Sequence, residues 1–184
     1  MMSTRQLTSV EAKYMKILHN ITLELSKRFP IARWAPIPLR MILGYGFMQH
    51  GFAKLSKGPG AFAAILQAMG VPNPHVMAWF TILIELAGGC AVFLGAFVTI
   101  MSVPMAVVLL VAMFKVHLRY GFSSIKLTAV TAAGAQFGPP GFEVNLLYIA
   151  CLAALVLGGS GPFAVDGLIG KRGEKRLRGE APFS

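Results

Sequence analysis

Residues 77–97, MAWFTILIELAGGCAVFLGAF, decide the fold class, because they form an apolar run interrupted by a single charged residue, Glu85. A helix needs about 20 mostly apolar residues to cross the hydrocarbon layer of a bilayer, so this run has the length of a membrane span. Three more runs of the same character lie at 36–55, 99–117 and 142–159. The sequence therefore predicts an all-α, polytopic membrane protein built as a four-transmembrane-helix bundle.

The composition agrees with a membrane protein and excludes several soluble classes. Of the 184 residues, 55% are hydrophobic and only 13% are charged, an imbalance that is unusual for soluble domains. The net charge of +10 would indicate nucleic acid binding in a soluble protein. In a membrane protein, however, basic residues set the orientation of the chain. We therefore expect the lipid bilayer as a partner and no nucleic acid.

The basic residues that flank the apolar runs predict the orientation, because Lys and Arg are retained on the cytoplasmic side. Eleven of them lie before residue 36 or after residue 161, whereas the two predicted outer loops hold three, Lys57, Arg119 and Lys126. An even number of spans also requires the two termini to share a side. The chain is therefore expected to be integral to the cytoplasmic (inner) membrane, with both termini in the cytoplasm.

The chain divides into three predicted segments. Residues 1–35 form a cytoplasmic segment in which apolar residues recur every three or four positions, typical of an amphipathic helix in the membrane interface; packing on the bundle or on a partner subunit is the alternative. Residues 36–168 form the membrane domain, and residues 169–184 form a basic cytoplasmic tail. Within the membrane domain, residues 125–135 are apolar but too short to span a bilayer, and they predict a surface or re-entrant segment.

Ionisable residues inside the spans are the candidates for function, because each costs about 2.5–3.5 kcal/mol at the middle of a helix. At about 100° per residue, Arg40, His50 and Lys54 fall on one face of the first span. Glu85 lies at a depth where its carboxylate can meet His50 or Lys54. Arg40 lies near the cytoplasmic surface, where its side chain is expected to reach the interface.

The third and fourth spans add polar residues at the outer level. Lys115 and His117 are two positions apart on a helix, so only one of them faces the interior, and Glu143 begins the fourth span. Together with the polar residues of the first two spans, they predict a polar chamber that opens to the outer side. The alternative is a buried ion-pair network that only fixes the register of the helices.

These residues stand in a series of short motifs with a recognisable order: Arg40-Met-Ile-Leu-Gly44, His50-Gly51-Phe-Ala-Lys54-Leu55, Ile84-Glu85-Leu86-Ala-Gly88-Gly89, Met113-Phe-Lys-Val-His117, Gly141-Phe-Glu143, and Gly161-Pro162 followed by Asp166. Over about residues 36–168, the series resembles the DoxX family of small four-helix membrane proteins. The resemblance implies a membrane subunit of a quinol oxidase or of a thiosulfate:quinone oxidoreductase. The turn before the fourth span departs from the family's Gly-Tyr-Glu-Tyr pattern, since Phe142 and Val144 lack the two hydroxyl groups.

The leading hypothesis is a membrane redox subunit that acts with a quinone near the outer leaflet. His50 and Glu85 would supply protons, Lys54 would stabilise the developing anion, and His117 or Glu143 would relay protons outward. These five are the expected catalytic residues. The expected cofactor-binding residues are Arg40, Gly51, Gly88 and Gly89; the last two also allow a neighbouring helix to approach closely.

Electrons must come from the substrate or from another protein, because no haem, flavin or metal-binding motif is visible. A partner redox subunit or a homo-oligomer is therefore expected. The alternative function is a non-enzymatic membrane scaffold or anchor for a partner protein, which would use the N-terminal helix and the basic tail. In a third interpretation, His50 and His117 ligate a haem, which would give the purified protein a Soret band.

Overall fold

A computed structural model describes residues 13–17, 20, 33–167 and 169. The chain divides into two units, Met1–Ala35 and Pro36–Ser184. In the first unit, residues 13–17 are helical, and the Arg33 guanidinium lies 5.5 Å from the centroid of the Trp34 ring. Most of the predicted N-terminal amphipathic helix and nearly all of the basic tail lie outside the described residues.

The second unit is mainly helical. Its helices are α1 (Pro36–Ser56), α2 (Pro59–Ala68), α3 (Pro74–Leu94), α4 (Val98–Tyr120) and α5 (Glu143–Gly158), and its strands are β1 (Leu127–Thr131) and β2 (Gly134–Phe137). Two helices change to π-helical geometry for one turn, α3 at Ile84–Gly88 and α4 at Met113–His117. The first three helices begin at or beside a proline, which suits the first turn because its backbone N–H groups have no partner within the helix.

Four helices occupy the runs predicted as spans: α1, α3, α4 and α5. In the described part of the chain, α3 and α4 are long and apolar enough to cross a membrane, whereas α1 is more polar and α5 has 16 residues. Only 33% of the most apolar stretch of α3, and 28% of that of α4, is buried within the protein. Most of their apolar side chains therefore face outward, as they do in proteins surrounded by lipid.

These four helices alternate in direction, so the bundle has two ends. At one end, the start of α1 meets the residues that follow α5, since the Arg40 side chain donates a hydrogen bond to the Pro162 carbonyl oxygen over 3.3 Å. This end is named the Asp166 end. At the other, the Lys54 end, the last turn of α1 meets α3, and the end of α4 meets the loop before α5.

The helices pack closely because glycines line their crossings. A Cβ atom on Gly44 of α1 would lie 2.6 Å from the Gly89 carbonyl oxygen of α3, and one on Gly89 would lie 2.8 Å from the Gly44 oxygen. Gly88 faces α4, where a Cβ atom would lie 3.1 Å from the Met105 sulfur. The main core beside these crossings is formed by Leu43, Phe47, Val92, Val98, Met105, Leu109, Leu152 and Leu155.

The fold departs from the prediction in two places. The predicted all-α class is wrong for residues 127–137, where β1 and β2 pair as an antiparallel hairpin with every strand residue exposed. The sequence LTAVT is rich in β-branched residues, and Gly134 supplies the positive φ (117°) needed to reverse the chain. In addition, α2 forms within the first predicted outer loop, where ten residues are too few to stand out as a span.

Candidate functional site

A cavity of about 290 Å³ lies at the Lys54 end, among α1, α3, α4 and α5. Its walls are mainly apolar, with Phe47, Val108 and Leu109 among them. Six polar side chains also line it: His50, Lys54, Glu85, His117, Asn145 and Tyr148. Apolar walls with a few convergent polar groups are typical of small-molecule sites. Four of the five expected catalytic residues therefore meet at one cavity.

The central contact of the cavity wall is an ion pair between Lys54 and Glu85. The Lys54 ammonium donates to both carboxylate oxygens of Glu85, over 2.7 and 2.6 Å. The Glu85 side chain is only 6% exposed and that of Lys54 is 24% exposed, and the Phe62 ring centroid of α2 lies 5.3 Å from the ammonium nitrogen. Of the two partners predicted for Glu85 from helical depth, the structure selects Lys54 for the ion pair.

The acidic group of the wall and one of its two imidazole groups lie in π-helical turns. Glu85 belongs to the π-turn of α3, and His117 is the last residue of the π-turn of α4. A π-turn holds one residue more than an α-turn and changes the direction of the side chains that follow it, and such turns are concentrated at functional sites. Sequence periodicity does not predict either turn, because a π-turn differs from an α-turn by a hydrogen bond shifted by one residue.

His117, rather than Lys115, faces the bundle interior. His117 lines the cavity, and its Nδ1–H donates a hydrogen bond to the Pro140 carbonyl oxygen over 3.0 Å. Since a carbonyl oxygen only accepts, this bond assigns a proton to Nδ1 and leaves Nε2 as the atom available to a ligand. Lys115 is exposed and does not line the cavity.

Two polar residues of the cavity were not among the predicted site residues. Asn145 is buried, and its Nδ2 donates to the Leu109 carbonyl oxygen of α4 over 3.3 Å. Tyr148 lies one helical turn further on, with its ring centroid 5.8 Å from that of Phe47. The sequence did carry a signal, because an amide near the start of an apolar run and a tyrosine three residues later share one helical face.

Glu143 does not line the cavity. Its carboxylate accepts a hydrogen bond from the Ser124 backbone N–H over 3.0 Å, and its own N–H donates to the Phe122 oxygen over 3.0 Å. Glu143 therefore joins the start of α5 to the loop that follows α4. Gly51 packs against Leu86 and Glu85, and like Gly88 and Gly89 it serves a helix contact and does not line the cavity.

Arg40 lies at the Asp166 end, away from the cavity residues. The expectation that its side chain reaches the interface is wrong, since it is only 5% exposed. The turn after α3 covers it so closely that a Cβ atom on Gly95 would overlap the guanidinium. Among the described residues, its Nε and Nη1 atoms have no hydrogen-bond partner. Asp166 accepts from the N–H groups of Phe97 and Val98, over 2.7 and 3.2 Å, and so caps the start of α4.

Within the described ranges, no three His, Cys, Asp or Glu side chains come close enough together to hold a metal ion. The polar side chains that line the cavity are proton donors and acceptors, and two of them form an ion pair. Groups of this kind can bind a polar molecule and exchange protons with it.

Comparison with known protein families finds a match for part of the chain. The DoxX family model matches residues 35–118, from the residue before α1 to near the end of α4. No curated protein and no solved structure matches the chain. The match confirms the resemblance for the motifs of the first three predicted spans and does not extend to those of α5. Taken with the outward-facing apolar side chains of α3 and α4, it indicates an integral membrane protein whose residues 35–118 are similar to the DoxX family.

Proposed function

We propose that this chain is a membrane redox subunit that binds a quinone in the cavity at the Lys54 end. The observation that carries the proposal is the ion pair between Lys54 and Glu85 in the wall of an otherwise apolar cavity. Burying two charges costs solvation energy that their attraction only partly returns. Ionisable groups inside a membrane domain are accordingly rare and commonly functional.

The proposal includes the topology predicted from the sequence. The chain crosses the inner membrane four times, through α1, α3, α4 and α5, with both termini in the cytoplasm. The alternation of helix direction supports this arrangement, as does the excess of basic residues in the flanks. The cavity then opens toward the outer leaflet, where a quinone diffusing in the bilayer can reach it.

The residues that line the cavity fit a quinone headgroup. Phe47 and Tyr148 provide flat apolar surface for a ring, and the Lys54 ammonium can donate to one of its two oxygen atoms. The Nε2 of His117 accepts in the neutral ring, so it can take the proton of a quinol hydroxyl or, once protonated, donate to the other oxygen. A quinone supplies redox chemistry by taking up two electrons and two protons. In the proposed mechanism Lys54 favours negative charge on a nearby oxygen, while His50, Glu85 and His117 hold and deliver protons. A partner redox protein or a reduced substrate supplies the electrons.

The test is the Glu85→Gln variant, which keeps the shape of the side chain but removes its charge and its proton. Quinone-linked turnover of the subunit, reconstituted in proteoliposomes with its electron donor, should fall by about 100-fold, within the range for loss of a general acid or base. The matched control is Glu143→Gln, the same change at the same end of the bundle but outside the cavity, which should retain turnover. Full turnover of a normally inserted Glu85→Gln protein rejects the proposal.

A second candidate function, a scaffold for a partner protein, is favoured by the β1–β2 hairpin. Every residue of both strands is exposed, and an isolated two-stranded sheet leaves its outer edges open to another chain. If the chain is a scaffold, a variant in which residues 127–137 are replaced should no longer co-purify with the partner. Neither this variant nor the unaltered chain should then bind a quinone. Quinone binding by the unaltered chain decides between the two functions.

A further inference from the structure

We propose that the groove between α3 and α4 holds the isoprenoid tail of the quinone whose headgroup occupies the cavity. This inference rests on the proposed function and names the class of substrate, a quinone with a prenyl side chain. The groove encloses about 580 Å³, twice the volume of the cavity. Its length is lined by Phe62 and Leu66 of α2, Met77 and Phe80 of α3, and Val103 and Val107 of α4.

The groove and the cavity meet at the ion pair. Five residues line both of them: Lys54, Glu85, Val108, Ala112 and His117. A molecule with its head at these polar groups therefore has two directions to extend, a short one into the cavity and a long one along the groove. The polar groups are confined to the shared wall and to Thr81 and Lys115, while the rest of the groove is apolar.

The apolar walls of the groove suit a linear run of methyl-branched prenyl units. Val103, Val107 and Val111 recur every four residues on α4, so short side chains form a continuous channel along this face of the helix. The facing wall carries the longer side chains of Met77, Phe80 and Ile84. A tail that enters this channel leaves an equally apolar lipid environment, so little hydrophobic free energy is gained. The groove would therefore favour the tail by the fit of its shape, and it would orient the headgroup.

The experiment compares two probes, ubiquinone-0, which has no isoprene unit, and ubiquinone-2, which has two, by equilibrium binding to the purified full chain in one detergent. The variant Val107→Trp fills the groove at a position that is 54% exposed, so the core is not disturbed. The matched control is Leu110→Trp on the same helix, a residue that lines neither the groove nor the cavity. The thermal unfolding midpoint of each variant is compared with that of the unaltered chain, to show that both fold normally. Val111→Trp serves as a second groove variant.

The tail site predicts that Val107→Trp raises the Kd of ubiquinone-2 by about ten-fold, roughly the change that 1.4 kcal/mol produces, and that of ubiquinone-0 by less than two-fold. Leu110→Trp should leave both unchanged. Two results overturn the inference. If all forms bind ubiquinone-2 equally, the groove holds bilayer lipid. If Leu110→Trp weakens ubiquinone-2 binding as much as Val107→Trp does, or if Val107→Trp weakens ubiquinone-0 binding as much as ubiquinone-2 binding, the effect is not specific to the tail. If the unaltered chain binds neither quinone, the proposed function itself fails.

Discussion

The two ends of the bundle each place a charged side chain in an apolar setting, and at the Lys54 end a cavity and a groove lie beside the charges. At the Asp166 end, Arg40 is covered by a backbone turn and lines neither the cavity nor the groove. At the Lys54 end, the ion pair lies in the wall that the cavity and the groove share. A buried charge alone therefore does not identify a site; the space beside it does.

The partners of the polar groups differ in the same way. At the Asp166 end they are mainly backbone atoms: Asp166 accepts from two backbone N–H groups and, over 3.4 Å, from the Ser160 hydroxyl, and Arg40 donates to a carbonyl oxygen. At the Lys54 end, two side chains from different helices bind each other. Side-chain pairs can separate and pair with a ligand without unfolding a helix end, whereas the contacts at the Asp166 end cannot.

The largest effect on stability is expected from Lys54→Met, which leaves the buried Glu85 carboxylate without its cation. The unfolding free energy should fall by about 3 kcal/mol, the lower part of the range for removing one member of a buried pair, because Lys54 is partly exposed. Denaturant- or heat-induced unfolding in detergent measures it. The control Lys115→Met, an exposed lysine near the same end, should change stability by less than about 0.5 kcal/mol.

The double variant Lys54→Met with Glu85→Gln sharpens this result. It leaves no buried charge, so it should recover most of the stability that the single lysine change removes. If instead its loss equals the sum of the two single losses, the two side chains are not coupled. The Lys54 end would then resemble the Asp166 end, with charges that act separately.

An intermediate effect is expected midway between the two ends, from Gly44→Ala. The added Cβ would lie 2.6 Å from the Gly89 carbonyl oxygen and 2.7 Å from the Phe93 Cβ, so α1 and α3 must move apart. Overpacking of this kind costs about 1–3 kcal/mol. Gly60→Ala is the control, because a Cβ there meets nothing within 4 Å. Equal unfolding midpoints for both variants would show that the crossing is looser than the structure has it.

Hydropathy was sufficient to predict the helices of the bundle, because burial in lipid requires long apolar runs whatever the details of packing. Helical depth and rotation alone gave two partners for Glu85, His50 or Lys54, and the structure shows the ion pair with Lys54. The π-turns at Glu85 and His117 were beyond such reasoning, since each depends on one hydrogen bond shifted by one residue. The hairpin was not predicted, because its strands have only five and four residues. Strands this short are stabilised mainly by pairing with each other, which their sequence pattern does not show.

The errors at the polar residues have a common cause. Sequence spacing gives the face of a helix on which a residue lies but not what covers that face. Arg40 was expected to reach the interface, yet the turn after α3 and Pro162 cover it. Glu143 was expected at the chamber, yet the loop after α4 folds back and takes its carboxylate. In both cases a loop covers the side chain. The conformation of such a loop depends on contacts between residues far apart in sequence, so spacing along one helix does not predict it.

The smallest effect is expected from Asp166→Ala, and it separates the two ends most directly. The change removes the acceptor for the Phe97 and Val98 N–H groups at the start of α4, and loss of a helix cap costs about 1 kcal/mol. The unfolding midpoint should fall accordingly, while quinone binding at the Lys54 end stays within two-fold of the unaltered chain. Asp166→Asn, which keeps one carbonyl oxygen, should recover part of the stability. A loss of quinone binding in a folded Asp166→Ala protein would mean that the ends are coupled through α4, and the distinction between a structural end and a functional end would no longer hold.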